Sequence, residues 1–121
     1  MENRKVYAMA LKKIYPLLVQ KAERKGRTQT EVKELISWLT GYDLATLKKL
    51  VDSDISYGDF FFQAPKLHPD RFLVKGSICG VRVETITESP MREIRILDKL
   101  VDDLAKGKPM EKILPKSNTA S

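Results

Sequence analysis

Cysteine, histidine and tryptophan each occur once in this chain of 121 residues. The lone thiol, Cys79, forbids an internal disulfide and fits a reducing, cytoplasmic setting. One histidine and one cysteine cannot fill the usual tetrahedral zinc set, so no metal is expected. The sequence has no phosphate loop and no dinucleotide fingerprint, so no cofactor is expected either. No apolar run approaches the ~20 residues of a membrane span, and the opening Met1-Glu-Asn-Arg-Lys leads into an amphipathic segment rather than a secretory signal. Internal repeats, low-complexity blocks and interdomain linkers are also missing.

What is there reads as one domain over residues 1–115, followed by a small, polar, disordered tail at 116–121. Apolar residues make up 42% of the chain, as in an ordinary soluble globule. The formal charge is +6. A basic balance permits an anionic partner without naming one.

Helix signals dominate. Thr28 and Glu31 stand in capping-box spacing, Val32, Leu35, Ile36 and Leu39 recur at threes and fours, and Gly41 falls where a helix turns left-handed to stop. This predicts a helix over 29–40. Upstream, 6–25 reads helical with Met9, Ile14, Leu17, Leu18 and Ala22 apolar. Pro16 either kinks that segment or opens its second half. Asp43 caps a helix over 44–52, and Ser56 with Asp59 marks a short one ending before Pro65. Alternation of Val81, Val83 and Thr85 with Arg82 and Glu84, punctuated by Gly76 and Gly80, predicts a short β hairpin or extended segment at about 71–86. Ser89-Pro90 opens a last long helix to Ala105, with Pro90 at its first position and Ile94, Leu97, Leu100, Val101 and Leu104 as its stripe. Gly107 ends it, and Pro109 opens a final turn through Leu114. The fold class is mostly α: a compact orthogonal bundle of about five helices.

Candidate sites are few. Arg82 points away from Val81 and Val83 on a strand, and with Arg71 it can line a cleft for a carboxylate or phosphate. The competing reading is a surface ion pair with Glu84 or Glu88. Cys79, between glycines, with His68 as base would be a nucleophile only if the fold brings them together; the plain reading is a small buried apolar residue. Neither is assigned a catalytic role, and both stay with Arg71 and Arg82 as ligand-binding candidates. Lys21, Arg24, Lys25 and Arg27 form a basic cluster that suits a nucleic-acid backbone or a solvated helix end. The helix pair around Gly41-Tyr42-Asp43 has helix–turn–helix dimensions, but Asp43, Asp52 and Asp54 would repel phosphate, so two simply packed helices are the better reading. Carboxylates at 98, 102 and 103 are interleaved with Arg95, Lys99 and Lys106 as helical charge pairs. Phe60, Phe61 and Phe62 fan over about 200° of a helix, more than one core face can take. With Ile96 and Leu100 widening the last helix, they predict a homodimer interface.

GRTQTEVKELISWLTGY (26–42), FFQAP (61–65), ICGVRVETI (78–86) and EIRILDKLVDDLAKGKPMEKIL (93–114) together resemble the small bacterial family known as domain of unknown function 2200. The likeness spans about Val6 to Leu114. It implies a single, mostly helical, intracellular domain, and it carries no activity across. Around LHPDR (67–71) the family has asparagine more often than His68 and Asp70, which makes His68 a poor candidate for a shared activity.

The reading that fits is a non-enzymatic binding or protein-interaction module. Two alternatives stay open: a nucleic-acid-binding helical protein, and a small enzyme using Cys79 or an arginine-lined pocket. Partners in view are a second copy of the chain and an anionic small molecule or nucleic acid, with no membrane.

Overall fold

A computed structural model of the chain describes residues 3–78 and 80–115. Cys79 and the tail at 116–121 lie outside the described residues. Helices α1 (Asn3–Ala8), α2 (Leu11–Glu23), α3 (Gln29–Thr40), α4 (Leu44–Val51) and α5 (Tyr57–Phe62) come first. A 3-10 helix (Pro69–Leu73) leads into an antiparallel pair, β1 (Ser77–Ile78) and β2 (Val81–Arg82), with Ser77 opposite Arg82. A 3-10 turn (Val83–Thr85), the long α6 (Met91–Ala105) and the short α7 (Met110–Ile113) complete it. The fold is mostly α with a short hairpin, as the periodicities predict.

Local signals account for most boundaries. Thr28 Oγ1 accepts the Glu31 N–H at 3.1 Å while the Glu31 carboxylate accepts the Thr28 N–H at 2.9 Å, so the capping box is complete. Asp43 and Ser56 cap α4 and α5 through the N–H groups of Thr46 and Asp59. Gly41 ends α3 at φ 84°, and a Cβ there would meet the Lys66 backbone at 2.8 Å.

The first helical segment differs from expectation. The chain breaks at Met9-Ala10, and Pro16 sits inside α2. Ala10 pairs across to Ser56: the Leu11 N–H donates to the Ile55 carbonyl at 3.0 Å, and the Tyr57 N–H to that of Met9 at 2.7 Å. A contact distant in sequence thus sets the break. Its consequence is a shifted stripe: Leu11, Tyr15, Leu18, Val19 and Ala22 are buried, while Met9 and Leu17 face solvent. At α6, Pro90 occupies the cap position just before the helix rather than its first turn.

The core is built on α6. Ile94, Ile96, Leu97, Leu100, Val101 and Leu104 are all buried, packed chiefly against α2 and α3. Burying aliphatic side chains of this size contributes roughly 1.5–3 kcal/mol each. Arg27 locks the far end, donating to the carbonyls of Leu104 and Lys108 at 3.1 and 2.7 Å while its guanidinium pairs with Glu31. Tyr7 ties α1 to the start of α6 through Glu88 and the Met91 N–H. Burial and the Glu88 contact push its phenol up to about 12.

Candidate functional site

Glu93 stands in register with Leu97, Leu100 and Leu104 on the inward stripe of α6, and its carboxylate is fully buried. A buried carboxylate needs partners. Arg71 supplies one, its Nε donating to Oε2 at 2.9 Å, and the Ser89 hydroxyl donates to Oε1. Arg71 Nη1 also donates to the His68 carbonyl at 2.8 Å. One turn of 3-10 helix is thereby fastened to α6.

Phe72, next in sequence, is half exposed and lies beneath two guanidinium groups. The Arg71 Cζ is 4.2 Å from its ring centre and the Arg92 Cζ 5.0 Å, both within cation–π range. Arg92 is held by neutral acceptors, the carbonyls of Ile86 at 2.7 Å and Thr87 at 3.2 Å. Between these elements opens a cleft of about 220 Å³. Arg71, Phe72, Glu84 and Arg92 meet there, over Val74, Val83 and Ile96.

Glu84 is the cleft's carboxylate. It accepts the Gly76 N–H at 3.0 Å and the Arg82 Nε at 2.8 Å. These bonds, that from Gly76 foremost, hold its acid down to about 2. Gly76 lies at φ 120°, with Lys99 passing where a side chain would stand.

Arg82 does not line this cleft. It sits on the open side of the hairpin, ion-paired with Glu84 at 2.7 Å and 66% exposed. Among the described residues only 77–78 and 81–82 pair as strands, so the alternation that pointed Arg82 inward stops at Val83, which is buried in the 3-10 turn. His68 lies apart, its ring stacked on Trp38 at 4.2 Å and its Nδ1 accepting the Asp70 N–H at 3.0 Å. It borders a separate groove of about 430 Å³ with Ser37, Gly41 and Lys66. Of the described members of the expected ligand set, Arg71 reaches the cleft, while Arg82 and His68 do not. Arg92, Phe72 and Glu84 were missed. Arg92 was findable: it precedes Ile96 by one helical turn and shares its face.

The aromatic run divides. Phe60 and Phe61 are buried, and Phe62 is 68% exposed, edge-on to Tyr7 at 6.4 Å. Ile96 and Leu100 are buried within the chain itself. The apolar surplus assigned to an interface is therefore internal at every position except Phe62. In the basic cluster, Lys21 pairs with Asp102 at 3.1 Å and Arg27 is turned inward, which leaves Arg24 and Lys25 exposed. The α6 charge pairs form as spaced: Arg95 with Asp98, Lys99 with Asp103, Lys106 with Asp102. Among the described residues, no group of three or more His, Cys, Asp or Glu could hold a metal ion. None of the described helices is long and apolar enough to cross a membrane.

The architecture is that of a small, mostly helical domain closed by a two-stranded hairpin. The chain belongs to the DUF2200 family, described as an uncharacterized protein conserved in bacteria, whose model matches residues 5–115. It is similar to the uncharacterized protein SP1917, known from a crystal structure, at 48% identity over 92% of this chain and 91% of that one, with a TM-score of 0.87. Among curated proteins no match is found.

Proposed function

We propose that this protein is a non-enzymatic binding module that takes a small anionic molecule into the cleft between the Pro69–Leu73 helix, the hairpin and α6. The observation that carries the reading is the convergence of Arg71 and Arg92 on Phe72. Two guanidinium groups over one ring, above an apolar floor, offer fork-shaped donors to a carboxylate or phosphate and a surface for its carbon body. Arg92 is the anchor, because its described bonds are to neutral carbonyls while Arg71 also neutralises Glu93. The one carboxylate in the cleft lining, Glu84, is held near 2, far below the near-neutral value that suits a general base. That favours binding over turnover.

Thermal unfolding tests the reading. An anion that binds only the folded state raises Tm as its concentration passes Kd. Either 4-methylpentanoate or inorganic phosphate should raise Tm, and Arg92→Gln should abolish the rise. Equal Tm values with and without both anions at millimolar concentration would overturn it.

A second reading, self-association, is favoured by Phe62 alone. Sedimentation of the parent chain against Phe62→Ser decides it. A dimer lost in the variant supports the contact, and two monomers remove it.

A further inference from the structure

The two guanidinium groups of the cleft are not equivalent. A guanidinium carries five N–H donors. In Arg92 the described bonds use the Nε hydrogen and one of the pair on Nη2, for the carbonyls of Ile86 and Thr87. Both Nη atoms keep hydrogens, and that end of the fork can hold two oxygens by parallel bonds. Arg71 is already matched by the buried Glu93. The described bonds of Arg92 go to neutral acceptors, so a single negative charge answers it.

Glu84 limits what else can enter. Its carboxylate accepts the Gly76 N–H, its own backbone N–H and both Nε and Nη2 of Arg82. A carboxylate has about four lone-pair directions, and these bonds fill them. With its acid held down to about 2, the group stays charged. Glu84 therefore takes no donor from a ligand and sets a fixed negative charge on the cleft wall. Arg82, which neutralises it, lies on the open side of the hairpin and does not line the cleft. The second charge of a dianion would come to rest beside that carboxylate, and like charges at short range in a partly enclosed site repel. The floor is aliphatic, Val74, Val83 and Ile96, and the volume of about 220 Å³ lies below the roughly 300–1,000 Å³ of drug-sized sites.

Resting on the anion-binding reading above, we infer that the cleft selects a small aliphatic monocarboxylate, and that Glu84 is the residue that turns away dicarboxylates and phosphate dianions. The carboxylate takes the free end of the Arg92 fork beside Arg71. The apolar body lies over the aliphatic floor, where its burial is favourable.

Calorimetric titration of the unaltered protein with 4-methylpentanoate, 3-methylglutarate, inorganic phosphate and 4-methylpentan-1-ol tests the inference. The titrations share one ionic strength and run at about pH 8, where phosphate is chiefly a dianion. The probes present one charge, two charges on a similar body, two charges without a body, and no charge. 4-Methylpentanoate should bind at least about tenfold tighter than each of the others. In Glu84→Gln the two dianions should gain on it, and in Arg92→Gln its binding should be lost. If 3-methylglutarate or phosphate binds the parent chain as tightly as 4-methylpentanoate does, the monocarboxylate inference fails and the anion reading stands. If the alcohol binds as tightly, or if none of the four binds, both fail. An unchanged ratio in a folded Glu84→Gln chain overturns the role given to Glu84. The comparison on the unaltered protein does not depend on either variant folding.

Discussion

Arg71 and Glu93 meet at 2.9 Å with the Glu93 side chain wholly shielded from water and the Arg71 side chain 16% exposed. The pair joins the short 3-10 helix to the first turn of α6, and it places Phe72 at the cleft mouth. Breaking one side of such a pair strands the other charge in a medium that cannot solvate it. Arg71→Met should therefore destabilise the fold by about 3 kcal/mol. Glu93→Gln keeps an acceptor for Arg71 and should cost nearer ~1 kcal/mol. Denaturant melts give the ordering, and an Arg71→Met chain as stable as the parent would show that the pair does not fasten these elements.

The α3 cap makes stability depend on acid. Arg27, then the Thr28 N–H, lowers the Glu31 carboxyl from its ordinary 4.5 to about 2. Since the folded-state value is the lower one, the cap's contribution is complete above about pH 4.5 and is lost as pH falls toward 2. Glu84 titrates in the same direction over the same window. Melts at pH 7 and pH 3 should show this loss, and Glu31→Gln should flatten part of it. Thr28→Ala removes the reciprocal bond and should cost roughly 1 kcal/mol at either pH. A slope unchanged by Glu31→Gln would mean that the cap carries no share of the acid response.

Two left-handed glycines should behave unequally. Gly41 at φ 84° is crossed by the Lys66 backbone, whose N and O lie 2.8 Å from where a Cβ would stand. Gly107 at φ 96° has open space around it. Gly107→Ala carries only conformational strain, of order 1–2 kcal/mol. Gly41→Ala adds a clash with backbone that cannot step aside, so it should cost clearly more. Chemical denaturation of the two variants separates strain from collision, and equal losses would contradict the close approach at Lys66.

The parts of this fold that were legible are those written locally. Thr28, Asp43 and Ser56 each bond an N–H three residues on, a spacing visible in the sequence. The α6 stripe needs only helical periodicity. The break at Met9-Ala10 has no local signal because it is set by pairing with a turn more than forty residues away, and Pro16 lies within α2 rather than opening a second piece. The cleft was half legible. The sequence offers Arg71 as a cleft residue because its fork can hold a carboxylate or phosphate, but it does not point to the partner Glu93, although a carboxylate in register with Leu97 and Leu100 is the signal to use. Arg82 is misplaced by the sequence because its alternation with Val81 and Val83 runs beyond the four residues that pair.

Arg92 and Arg71 are proposed to form an anion site over Phe72. Its most direct test is an NMR titration of the arginine Nε–H and phenylalanine ring resonances with 4-methylpentanoate. Saturable shifts are expected at Arg71, Arg92 and Phe72, with Arg24 and the buried Phe60 unmoved. Shifts absent from the cleft, or gathered instead on Arg24 and its neighbouring lysines, would contradict it.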